Sequence, residues 1–253
     1  MIAIPTTSGS GSESTHFAVV YSGNQKYSLA HEYILPDIII INPELTYSLS
    51  SNHTAVSGID AFSQAVESYW SVNSNQESKN YSSESIKLIL ENLVSAVNNP
   101  SPENRINMSK AANLAGKAIN ITKTTAPHAI SYSLTTYFGV PHGQAVSFTL
   151  GEFFVYNYEV TTEDAADSRG AEYVKKTITE INGLMGCNTA EESKNKINNL
   201  LKSVNLKTKL KEADIRSESD LKMILENVNT ERLQNNPRKL SSENLMKILK
   251  SIL

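Results

Sequence analysis

The sequence predicts a mainly α-helical chain preceded by a few β-strands left from an incomplete α/β domain. Three observations carry this reading. The first forty or so residues hold β-rich runs separated by turn residues. From about residue 48 onward, apolar residues recur at helical spacing. No βαβ unit precedes the first strand-like segment, so that segment looks like the end of a sheet built elsewhere. The expected division is 1–48 for the terminal strands of the α/β domain and 49–253 for a helical domain.

Taken in order, Ile2-Ala3-Ile4-Pro5 is a short strand, and Pro5 to Glu13 is a loop of glycines and hydroxyl side chains. Residues 17–21 form a second strand, the turn chemistry of Ser22-Gly23-Asn24-Gln25 follows, and 26–29 resume the extended pattern. Ile38 to Ile41, closed by Asn42-Pro43, has the signature of a buried strand. Helix-compatible apolar spacing then runs over 56–70, 84–97, 105–119, 129–138 and 165–184. Shorter helices are expected at 193–204, 219–226 and 241–253, the last beginning with serine as a cap and Glu243 in the first turn.

Composition narrows the function classes. With 253 residues, 40% hydrophobic and 19% charged, the chain is ordinary globular material with enough length to bury a core. A formal net charge of −3 gives no basic footprint for nucleic acid. No apolar run approaches the ~20 residues of a membrane-spanning helix, and MIAIPTT carries no secretory pattern. The expectation is therefore a cytoplasmic protein with neither a nucleic-acid nor a membrane partner. The single cysteine, Cys187, fits a reducing compartment and reads as a small turn residue between Gly186 and Asn188.

The chemistry concentrates at two histidines. His128 and His142 stand fourteen residues apart in TTAPHAISYSLTTYFGVPHG, and GIDAFSQAVES upstream supplies Asp60, with Gln64 one helical turn later. Two imidazoles and a carboxylate on one concave surface make a divalent-metal site with an open position for an oxygen. Taken singly, His128 reads first as a helix-start histidine after Pro127, and His142 as a turn residue; their joint spacing with Asp60 reverses that and favours ligation. The loop PTTSGSGSE reads equally as a ligand loop, whose glycines and hydroxyls allow close approach, and as a flexible Gly/Ser linker; it matches neither a dinucleotide fingerprint nor a phosphate-cradling P-loop.

The ordered segments AIPTTSGSGSE, LPDIIIINPELT, GIDAFSQAVES and PHAISYSLTTYFGVPHG resemble the iron-containing (group III) alcohol dehydrogenases over nearly the whole chain. The resemblance implies a Rossmann-like nucleotide-binding domain, of which this chain would hold the last strands, and an all-helical C-terminal domain. It implies a divalent metal (Fe2+ or Zn2+) held by Asp60, His128 and His142, and NAD(H) or NADP(H) as hydride carrier. Gln64 occupies a position where the family usually has a fourth ligand, histidine. It is then either a weak ligand through its carbonyl oxygen or a substrate contact. Thr6 and Thr7, with Ser8 and Ser10 nearby, match the nicotinamide side, and Tyr132 stands where many relatives have a pocket histidine, which admits a proton relay and equally a packing tyrosine.

The resemblance further implies a small aldehyde or primary alcohol as substrate and admits a homodimer. KTTAPHAIS, SQAVESYWSVNS and THFAVVY resemble most the branch that reduces phosphonoacetaldehyde, with Lys123 placed to grip an anionic group and His16 facing the pocket. A solvated helix-end lysine is the competing reading of Lys123. Two competing functions are a sugar-alcohol or polysaccharide-pathway dehydrogenase of the same family, and a truncated, non-catalytic remnant. The upstream glycine-rich pyrophosphate loop is absent from the sequence, so the chain reads as the C-terminal portion of a longer enzyme.

Overall fold

The computed structural model describes residues 1–22 and 25–253; Gly23 and Asn24 of the expected turn lie outside the described residues. Strand β1 (Ile2–Ala3) pairs in parallel with β4 (Ile38–Ile39), Ile2 opposite Ile38. Strand β2 (Phe17–Ser22) pairs antiparallel with β3 (Gln25–Ala30), Phe17 opposite Ala30. The isoleucine run is not the buried strand that its composition predicts. Only two of its residues pair, and Ile38 is 53% exposed, because the β1–β4 ribbon has two strands and no covering layer among the described residues.

From Ser51 the chain is helical. Helix α1 (Ser51–Trp70) starts where the Ser50 hydroxyl accepts the His53 N–H, five residues ahead of the apolar pattern. Every residue from Gly58 to Trp70 is buried, since α2 (Gln76–Asn98), α3 (Pro102–Thr122), α5 (His142–Tyr158) and α6 (Ala171–Leu184) all pack on α1. Helix α2 begins eight residues before the apolar period signals it, because Asn75 and Ser78 satisfy each other's backbone N–H groups in a capping box. Helix α4 (Ala126–Phe138) ends at Gly139, whose φ of 65° supplies the left-handed cap.

Helix α5 is absent from the sequence-based element order. Its residues Gly143 to Leu150 are buried without interruption. A helix buried on all sides shows no amphipathic stripe, and so leaves no periodic signal. In the opposite sense, 165–184 is helical only from Ala171; residues 161–170 turn around Asp164 and Asp167 instead. The tail follows as α7 (Ala190–Ser203), α8 (Glu218–Glu226), α9 (Thr230–Leu233) and α10 (Ser242–Ser251), the last capped by Ser241 as its sequence predicts.

Two glycines decide how closely elements approach the centre. A Cβ at Gly143 would lie 2.1 Å from the Val56 carbonyl oxygen and 3.1 Å from Asp60 Cβ. This glycine lets the start of α5 rest directly on α1 beside Asp60. Gly11, at φ 60°, meets Gly116 of α3 backbone to backbone, which lays the amino-terminal loop along α3. We expect Gly143→Ala to lower stability by about 1–3 kcal/mol through overpacking, read as a lower denaturation midpoint. Gly183→Ala, in open space near the end of α6, is expected to be neutral or stabilising by up to ~1 kcal/mol.

Candidate metal centre

Helix α1 presents Asp60, Gln64 and Glu67 on one face, at positions i, i+4 and i+7. Helix α4 brings His128 to that face from its first turn, and α5 brings His142 as its first residue. Asp60 Oδ1 lies 3.4 Å from His128 Nε2 and 3.8 Å from His142 Nε2. One ligand atom from each of these three residues falls within 4.8 Å of the other two. Donors bound to a common ion at about 2.1 Å in a tetrahedral array stand about 3.4 Å apart, so the spacing suits a single divalent cation. The His128 and His142 rings meet edge to face, centroids 5.3 Å apart.

The polar inventory supports the same use. His128 Nε2 is buried and faces Asp60 Oδ1 at 3.4 Å, and Gln64 Oε1 is buried and makes no hydrogen bond among the described residues. Buried polar atoms left in that condition are costly unless something polar or cationic meets them. Gln64 donates its amide Nε2 to Asp60 Oδ2 over 3.2 Å. The amide nitrogen thereby orients the carboxylate, and the carbonyl oxygen on the other side of the amide is the atom left unpartnered.

Sequence reasoning missed Glu67. Its carboxylate is completely buried, and it accepts the Thr125 N–H at 2.7 Å, the Thr125 hydroxyl at 2.9 Å and the Nδ1–H of His128. With Nδ1 as donor, the neutral His128 ring carries its lone pair on Nε2, facing Asp60. Burial by itself depresses this imidazole, but the Glu67 charge, the hydrogen bonds to Asp60 and Glu67 and the Asp60 charge prevail and raise it to about 9. A cation seated between the donors takes the place of that Nε2 proton. The signal for Glu67 was present in GIDAFSQAVES, as a carboxylate seven residues after Asp60 on the same helical stripe as Asp60 and Gln64.

A cleft of about 630 Å³ opens over this group, lined by Asp60, Gln64, His128, Tyr132 and His142 from the helices. The Tyr132 ring stacks on His142, centroids 6.1 Å apart and planes 15° from parallel. Ser10 reaches the cleft, while Thr6 and Thr7 are exposed and do not belong to its lining. Ser8 is buried and hydrogen-bonded to Ser109 at 2.9 Å, which fixes the loop on α3. Lys123 caps α3 at φ 59° and stays outside the lining, whereas Thr124 beside it is included. His16 is held by Asn120, its Nδ1 2.6 Å from the amide oxygen, and Phe17 rather than His16 faces the cleft. Arg232 lines the cleft from α9 and was not among the sequence candidates.

Residues 54–253 match the Fe-containing alcohol dehydrogenase family, C-terminal model, and residues 1–43 match the iron-containing alcohol dehydrogenase model. A phosphonoacetaldehyde reductase of Streptomyces viridochromogenes is 31% identical over 98% of this chain and 62% of its own length. The crystal structure of sulfoacetaldehyde reductase from Bifidobacterium kashiwanohense, in complex with NAD+, superposes with a TM-score of 0.86. Identity is 29%, covering 99% of this chain and 64% of that one. The alcohol dehydrogenase from Oenococcus oeni gives a TM-score of 0.89 at 29% identity, covering 100% and 65%. The chain thus spans less than two thirds of the length of these proteins.

Loss of the Glu67 carboxylate should be felt at the metal rather than only in the fold. Glu67→Gln places an NH2 donor where three donors already converge, and zinc affinity is expected to fall about 10- to 100-fold. Zinc titration of the wild-type chain and the variant, alongside circular dichroism to show that both are folded, checks this.

Proposed function

The chain belongs to the iron-containing alcohol dehydrogenase family, and from that premise we propose that it interconverts an aldehyde and a primary alcohol at the Asp60–His128–His142 centre. The observation that carries this reading is the convergence of those three donors beneath the cleft, next to the buried Nε2 of His128 and the amide oxygen of Gln64. A divalent metal, Fe2+ or Zn2+, bound there supplies a Lewis acid for the substrate oxygen, and NAD(H) or NADP(H) supplies or accepts the hydride.

The roles of the chain's own residues follow from their positions. Asp60 and the two imidazoles hold the cation, and Gln64 orients Asp60 while offering its carbonyl oxygen as a weak additional donor. Burial raises the Tyr132 hydroxyl above its ordinary value, against the opposing influence of Arg232. It therefore enters protonated and delivers its proton to the substrate oxygen as the carbonyl is reduced. Ser10, in the cleft lining, contacts the nicotinamide in this reading, with Thr6 and Thr7 earlier in the same loop, and Ser8 holds that loop against α3. Short aldehydes bearing an anionic group are the expected substrates. The phosphonoacetaldehyde and sulfoacetaldehyde reductases among the relatives support this.

Metal analysis and NAD(P)H oxidation test the proposal directly. One Zn2+ or Fe2+ per chain, lost in Asp60→Ala and His128→Ala, together with oxidation of NAD(P)H by phosphonoacetaldehyde or a similar aldehyde, is the expected result. No bound metal and no turnover would overturn it. Gln64→His should tighten zinc binding by about tenfold or more, since imidazole is a better donor than a neutral amide oxygen; unchanged affinity would remove Gln64 from the metal's surroundings.

A further inference from the structure

The cleft contains one guanidinium, and its placement bears on which substrates can enter. Arg232 is only 6% exposed, yet it belongs to the cleft lining and is the sole lysine or arginine there among the described residues. Its guanidinium carbon lies 5.5 Å from the centroid of the Phe17 ring, another lining residue. It also interacts by charge and hydrogen bonding with Tyr132, whose ring stacks on His142. The sequence of contacts Arg232, Tyr132, His142 therefore sets a fixed positive charge one aromatic ring away from the candidate metal ligands.

The short helix that carries Arg232 is tied to the helix that carries the chemistry. The Asn229 side chain caps it by accepting the Arg232 N–H at 3.0 Å, and the Asn229 N–H reaches the Ala129 carbonyl of α4 at 3.4 Å. His128 and Tyr132 flank Ala129 in the same helix. Two carboxylates also line the cleft, but both are turned to other partners. Glu13 accepts from Asn113 at 3.1 Å, and Asp60 faces Gln64 and the imidazoles.

We propose that Arg232 is the anion-recognition residue of this cleft, binding the phosphonate or sulfonate end of a short aldehyde whose carbonyl end lies at Asp60, His128 and His142. The proposal rests on the aldehyde–alcohol reading and adds to it the residue that sets substrate class. A guanidinium presents a planar fork that matches two oxygens of a tetrahedral oxyanion. Held on Phe17 in a poorly hydrated position, it loses little freedom on binding, and its attraction is screened less than that of a surface cation. A neutral aldehyde of the same length offers nothing to this charge, so discrimination takes the form of a preference for the anionic substrate.

The test compares ethylphosphonate with its uncharged dimethyl ester by calorimetric titration of the full chain, zinc-loaded and zinc-free. The wild-type chain should prefer ethylphosphonate in both forms, the zinc-free arm showing that the metal does not itself hold the anion. Arg232→Gln should reduce that preference about 10- to 100-fold, and Arg232→Lys should restore part of it. A preference retained by Arg232→Gln, or lacking in the wild-type chain, would overturn the proposal. Ethylphosphonate preferred by a chain that takes up no zinc would contradict the metal reading and leave the anion subsite standing.

Discussion

The buried carboxylate of Glu67 is the constraint on which the centre depends. It lies two helical turns beyond Asp60 on α1, wholly out of water, and is met by the Thr125 N–H, the Thr125 hydroxyl and His128 Nδ1. A buried carboxylate needs such donors, because desolvation costs it several kcal/mol otherwise. The donors come from the last residue before α4 and from that helix's first turn, so satisfying Glu67 also fixes where α4 begins. The same contacts set the orientation of the His128 ring. Thr125 is held in turn by the Trp70 indole N–H at 2.9 Å, and the Trp70 ring packs edge-on against Phe154 of α5. Polar and apolar contacts therefore converge on one junction of α1, α4 and α5.

Around that junction α1 acts as a spine enclosed by other helices. Its surroundings hold fully buried Phe62, Trp70, Phe153 and Phe154, and Gly58 and Gly143 permit approaches that a Cβ would block. Rigidity of this kind suits a site in which three ligand atoms from three helices must lie within 4.8 Å of one another. The cleft above the centre is lined partly by the amino-terminal loop and Phe17, so the strand region contributes to the site as well as the helical part.

Much of this was legible in the sequence, and what was not has physical reasons. Asp60, His128 and His142 could be grouped because their residue types are metal ligands and their motifs stand in a familiar order. Amphipathic helices such as α3 and α7 left a periodic trace. Helix α5 left none, being buried on all sides, and the extra turns at the start of α1 and α2 come from caps rather than from apolar spacing. The isoleucine run looked buried because composition alone cannot say whether a neighbouring layer is present; Ile38 and Ile40 are exposed. Arg232 carries no local motif and reaches the cleft only through the packing of α9 on α4. Lys123, which the sequence offered either as an anion-gripping cation or as a solvated helix-end lysine, caps a helix at the edge of the same region.

The central claim is that Glu67 holds His128 as a donor at Nδ1 so that Nε2 is presented to a divalent metal. Long-range 1H–15N correlation spectra of the imidazoles, recorded with and without zinc at neutral pH, test it most directly. Without metal the raised His128 value of about 9 predicts protonation at both ring nitrogens. On zinc addition the Nδ1 proton should remain while Nε2 loses its proton and shifts to a metal-bound position. A zinc-saturated chain in which His128 keeps its Nε2 proton, or in which its resonances do not respond to zinc, would contradict the account.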